Sequence, residues 1–118
     1  MDRISIVILV LILVLVLHLV EEVRTGFRKK LIIGEMPLPL FAGINVLIYT
    51  FCLATFLLLL YGYTLGITFA WVFAAGMLLN GTGHISFMVI KRAYFPGGLT
   101  AVLILPLSVY LILLLAGL

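Results

Sequence analysis

Charge is what this chain has least of. Only 9% of its 118 residues are charged, and the acidic ones are Asp2, Glu21, Glu22 and Glu35. A chain that is 66% hydrophobic, with a mean hydropathy of +1.45, lacks the polar surface a water-soluble domain requires. The single cysteine, Cys52, excludes an internal disulfide and reads as packing within an apolar run. There is no glycine-rich phosphate loop, nucleophilic-serine elbow, haem-attachment motif or internal repeat. What remains is an integral membrane protein.

Four long apolar stretches are present, at about residues 4–23, 39–62, 65–90 and 99–117. Each is close to the ~20 residues a helix needs to cross the hydrocarbon core. The predicted fold is therefore all-α, a polytopic four-helix transmembrane bundle forming one domain over residues 1–118. No room is left for a soluble domain, so any chemistry lies in the bundle or at its mouths. The first stretch reads as a mature helix rather than a cleaved leader: it is too long for a leader's apolar region, no small-x-small site follows it, and Glu21 and Glu22 end it. Pro106 is expected to kink the fourth helix. Tyr49, Tyr61, Tyr63, Trp71 and Tyr110 supply candidate interfacial anchors, and Glu35 reads as a solvated loop charge.

Basic residues set the expected orientation. Arg24, Arg28, Lys29 and Lys30 fall in the first loop and Lys91 and Arg92 in the third, while the opposite ends carry only Arg3 and the terminal amine against Asp2. The positive-inside rule then places residues 24–38 and 91–98 in the cytoplasm and both termini on the other side. Basic loops beside a bilayer fix topology and touch anionic headgroups, so membrane lipids are the expected partners and nucleic acid is not. A small bundle with short loops also has reason to form homo-oligomers.

The ionisable groups inside the oily runs are costly there unless they find partners or a cation. His18-Leu-Val-Glu21-Glu22 closes the first helix, and Asn80-Gly-Thr-Gly-His84 lies in the third. His18 lies six residues before Arg24, His84 seven before Lys91, and Asn45 six after Pro39. At ~1.5 Å per residue all three sit roughly 9 to 11 Å below the basic face. Spacings of three and four put His18 with Glu21 and Glu22, and Asn80 with His84, on single helix faces. Gly76 and Gly83 extend the second stripe and would let another helix approach.

Two imidazoles and a carboxylate from facing helices suit a divalent ion such as zinc, iron or manganese. The expected ligands are His18, His84 and one glutamate, with Glu22 taken as the ligand and Glu21 as the general base. Both glutamates are within helical reach of His18, so helix rotation decides between them. Asn80 either lends a weak amide-oxygen ligand or, as we assign it and Asn45, orients the ligands by hydrogen bonding. Tyr94 is placed to reach back over the site as a donor. Thr100 is expected to cap the fourth helix with its hydroxyl, leaving that helix start free to offer N–H groups to an anionic headgroup. The resulting expectation is a metal-dependent membrane enzyme, a hydrolase or oxidoreductase, acting on a lipid or other apolar substrate from the cytoplasmic leaflet. Two other classes fit the same residues: a small proton-coupled transporter using Glu21 or Glu22, and a structural assembly partner whose polar cluster holds helices together.

His18-x-x-Glu21-Glu22, Asn80-x-x-x-His84 and the segment Tyr94-Phe-Pro-Gly-Gly-Leu-Thr100-Ala101 together resemble the HXXEE-domain family of small bacterial membrane proteins. The resemblance covers most of the chain. It implies a multi-helix protein of the bacterial cytoplasmic membrane whose motif invites a metal or enzymatic reading, and it supplies no substrate.

Overall fold

Arg3–Thr25 (α1), Leu38–Leu60 (α2), Leu65–Lys91 (α3) and Gly98–Ala116 (α4) are helices in the computed structural model, which describes residues 1–31 and 33–118. All four are long and apolar enough to cross a membrane, and no strand is present among the described residues. Their ends fall within two residues of the expected boundaries.

Local chemistry explains where they stop. The Asp2 carboxylate accepts the Ser5 N–H at 2.7 Å, which caps α1 and holds that carboxyl below its usual range. Gly26 ends α1 in the left-handed conformation at φ 76°, returning its N–H to Glu22 O. A short 3-10 turn over Phe27–Lys29 follows, and Pro37 and Pro39 open α2. α4 runs through Pro106 without interruption.

Neighbouring helices pack in the cyclic order α1, α4, α3, α2, with the closest packing between α3 and α4 and between α1 and α4. α1 and α3 therefore face each other across the bundle axis. Ile8, Leu11, Ala70, Ala74, Ile104 and Leu111 fill that axis, with Cys52 free and buried beside them. Outside, the surface is apolar: Leu17, Leu47, Leu79 and Leu113 are each more than half exposed. In water such a girdle would aggregate; in a bilayer it meets acyl chains of its own polarity.

Small residues act at a different position from the one expected. A Cβ on Gly76 or Gly83 would meet nothing within 4 Å, whereas one on Gly81 would stand 3.2 Å from the Leu105 backbone. Gly81 is thus a point of close approach between α3 and α4, and Gly76 faces open space. Tyr49 also departs from expectation. It is no interfacial anchor, because its hydroxyl donates across to the Leu15 carbonyl and ties α2 to α1. Tyr61 and Tyr63 are exposed at the α2–α3 turn, the end opposite the basic loops.

Candidate metal centre

Across the bundle axis, at the end carrying the basic loops, α1 and α3 bring three electron-rich groups together. His18, Glu22 and His84 are each buried, and one ligand atom from each lies within 4.8 Å of the others. His18 Nε2 is 3.6 Å from Glu22 Oε1, and His84 Nε2 is 3.7 Å from Glu22 Oε2. These separations exceed the ~2.7–3.2 Å of a hydrogen bond. They approach the roughly 3.3 Å between ligand atoms on a tetrahedral ion with bonds of ~2.0–2.1 Å.

The protons on the rings follow from the hydrogen-bond network. His84 Nδ1 is 2.7 Å from the Pro96 carbonyl oxygen, which only accepts, so Nδ1 carries the proton and Nε2 keeps its lone pair. His18 Nδ1 is 2.6 Å from Thr100 Oγ1, and that hydroxyl donates to Glu21 Oε1 at 2.6 Å. With its own proton committed to the carboxylate, Thr100 accepts from His18 Nδ1, and His18 also presents a bare Nε2. Backbone and carboxylate partners fix histidine tautomers in metal proteins in this manner. Two bare nitrogens and a carboxylate thus converge. His18 Nε2 has no hydrogen-bond partner, and neither does the buried Asn80 Oδ1. A buried acceptor left unmatched costs about 1–3 kcal/mol, which a cation would remove.

Glu21 goes elsewhere. Its Oε2 accepts from the Tyr94 hydroxyl and from Leu99 N at 3.0 Å, and its Oε1 from Thr100 N at 2.9 Å and Thr100 Oγ1. α4 begins at Gly98, with Gly97 as cap and no side-chain cap bond of its own. Thr100 is consequently the third residue of the helix, not its cap. The cap comes from α1 as the Glu21 carboxylate, so the N–H groups expected to meet an anionic headgroup are already taken. Tyr94 reaches Glu21 rather than the metal ligands, and partial burial with that bond raises its hydroxyl above the usual phenol range. It remains a donor at neutral pH.

The turn before α4 roofs the histidines. Gly97 has φ 89°, and a Cβ there would lie 2.6 Å from His84 Nδ1 and 2.7 Å from His18 Cε1. Backbone conformation and space both demand glycine. The two imidazoles meet edge to face at 4.7 Å between centroids. Phe27 and Phe95 lie 5.4 and 5.7 Å from the His84 ring, and Phe41 packs behind Phe27. The sequence reading missed this aromatic wall. Its only signals were the positions of Phe27 after Gly26 and Phe95 before Pro96.

A cavity of about 180 Å³ opens beside the cluster, lined by His18, Glu22, His84, Asn80, Asn45 and Tyr49 among others. Asn45 reaches this space from α2, although its amide donates to its own helix at Phe41 O, 2.9 Å away. The expected residues His18, Glu22, His84, Asn80 and Asn45 are therefore gathered around one cavity, while Glu21 and Tyr94 form a second cluster joined to it through Thr100.

No curated protein and no solved structure matches the chain. A family model described as "Protein of unknown function with HXXEE motif" does match, over residues 9–111. That span takes in His18, Glu21 and Glu22, the motif of its description, together with His84 and the capping Thr100, and the chain belongs to the HXXEE family.

Proposed function

We propose that the protein is a membrane-embedded metalloprotein in which His18 Nε2, His84 Nε2 and the Glu22 carboxylate hold a divalent ion, and that it acts on a lipid or apolar substrate from the cytoplasmic leaflet. The observation that carries this reading is the convergence of His18, His84 and Glu22, buried and with one ligand atom from each within 4.8 Å of the others, while the Nδ1 atom of each ring is engaged by Thr100 or Pro96 and its Nε2 faces the carboxylate. Two histidines and a glutamate with a cavity on the open side match the three-ligand pattern of catalytic zinc rather than the closed four-ligand pattern of structural zinc. Zinc, iron and manganese all accept this donor set. Asn80 Oδ1, unpartnered beside the open side, would accept a hydrogen bond from a water or a substrate hydroxyl there.

Glu21 serves in this proposal as a positioning residue. Through Thr100 it holds His18 in the ligating tautomer, and through Leu99 and Thr100 it anchors the roof. Four hydrogen bonds leave its carboxylate little freedom to alternate between proton and cargo, which weighs against a transporter built on Glu21. A purely structural cluster is disfavoured by the two buried acceptors it would leave unmatched.

Elemental analysis of detergent-purified protein without an affinity-tag histidine run tests the proposal. Wild type is expected to carry close to one equivalent of metal, lost in His18→Ala and in His84→Ala while both variants stay monodisperse. Metal-free wild type after exposure to zinc, iron and manganese, or metal retained in both variants, ends it.

A further inference from the structure

The 180 Å³ cavity is the junction of two larger spaces, one bordered by cationic side chains and the other almost wholly apolar. Toward the basic loops it shares Glu22 and Phe41 with a mouth of about 490 Å³ lined by Arg24, Arg28 and Lys29. Toward the bilayer it meets a lateral groove at Asn80. One part of that groove, about 360 Å³, runs between α2 and α3 past Leu47, Phe51, Val72 and Gly76; another, about 390 Å³, passes Leu79, Gly83 and Phe87 to Phe95. The two parts share Gly76 and Asn80, so the apolar surface is continuous.

We propose that the ligand of this site is an anionic lipid, with its phosphate at the Arg24 and Lys29 mouth, its polar backbone passing the cluster at Asn80, and an acyl chain in the groove between α2 and α3. Charge decides the headgroup. Arg28 is held by Glu35 at 3.1 Å, but Arg24 and Lys29 have no acidic partner among the described residues. Polarity decides the rest of the molecule, because a free inorganic anion would use the mouth and leave the groove without a ligand. Asn80 Oδ1 stands where the two spaces meet, and its missing partner is supplied by a hydroxyl of the lipid backbone or a water beside it. The assignment rests on the metal-site reading for the chemistry at the junction, while its binding test requires no metal.

The test reconstitutes protein in vesicles of equimolar phosphatidylglycerol and phosphatidylcholine and counts retained lipid by native mass spectrometry after gentle extraction. Wild type is expected to retain phosphatidylglycerol in preference. Arg24→Gln with Lys29→Gln lowers that preference about thirtyfold, the scale set by two basic residues at a membrane surface. Gly76→Trp fills the groove, since a Cβ there meets nothing within 4 Å; retention of either lipid then falls while metal content holds. Gly83→Trp, equally open, repeats the block at a second point should the first variant fold poorly. Equal retention of both lipids by wild type, retention untouched by both tryptophans, or full displacement of lipid by inorganic phosphate would overturn the proposal. Metal content is read on the same samples. Lipid preference in wild type that stays metal-free after exposure to zinc, iron and manganese refutes the metalloprotein and keeps the lipid site, and metal-loaded protein without preference does the reverse.

Discussion

Glu21 and Glu22 are adjacent in the chain and serve different helices. At about 100° per residue, Glu22 lies roughly 40° to one side of His18 around α1 and Glu21 roughly 60° to the other. That difference turns Glu22 toward α3 and His84, and Glu21 toward the start of α4. Sequence spacing put both within reach of His18, but the rotation of α1 in the bundle is set by packing of its buried apolar face, from Ile4 to Leu15, and the motif itself does not encode it. The two substitutions should therefore separate. Glu21→Ala removes the acceptors of two helix N–H groups and two hydroxyls and is expected to cost about 1–3 kcal/mol in thermal unfolding of the metal-free protein. Glu22→Gln should leave metal-free stability nearly unchanged and abolish metal binding. Equal stability losses in the two variants would show that Glu21 is no special anchor.

At the scale of elements, the segment from Tyr94 to Thr100 repays the closest comparison with its sequence. Pro96, Gly97 and Gly98 announced a turn and a helix start, and both are found. The capping role of Thr100 was misplaced because the cap lies three residues earlier, at Gly97, which converts a cap residue into a third-position residue whose N–H needs an acceptor from outside. Gly97 did not reveal its purpose either. Its φ of 89° is a local matter, whereas its closeness to two imidazoles from different helices exists only after the bundle closes. Gly97→Ala combines a backbone cost of order 1–3 kcal/mol with displacement of both rings. Metal affinity should fall at least about tenfold, the equivalent of ~1.4 kcal/mol. Gly83→Ala provides the control, having no neighbour within 4 Å of a new Cβ and therefore unchanged affinity. Competition against a chromogenic chelator measures both, and an unaffected Gly97→Ala protein would show that the roof does not position the ligands.

For the whole molecule, the ring order of the helices and the distribution of charge give one end of the bundle its identity. Hydrophobic length predicted the four helices to within two residues because a crossing needs roughly 20 apolar residues in a row, and no tertiary knowledge is needed to apply that requirement. Up-and-down connection then puts the end of α1, the start of α2, the end of α3 and the start of α4 together, and with them six of the seven basic residues of the chain. The candidate site lies at that end, so the orientation of the protein decides which leaflet supplies its ligand. From the positive-inside rule we expect it to face the cytoplasm. Cysteine accessibility tests this without removing the native thiol, because Cys52 is 1% exposed and shielded from bulky reagents. With intact cells, an impermeant maleimide should label Tyr63→Cys, at the α2–α3 turn, directly. It should reach Lys30→Cys, in the basic loop, only after the membrane is opened. Labelling in the opposite order would turn the site toward the outer leaflet, and the mouth at Arg24 and Lys29 would then have to draw its lipid from there.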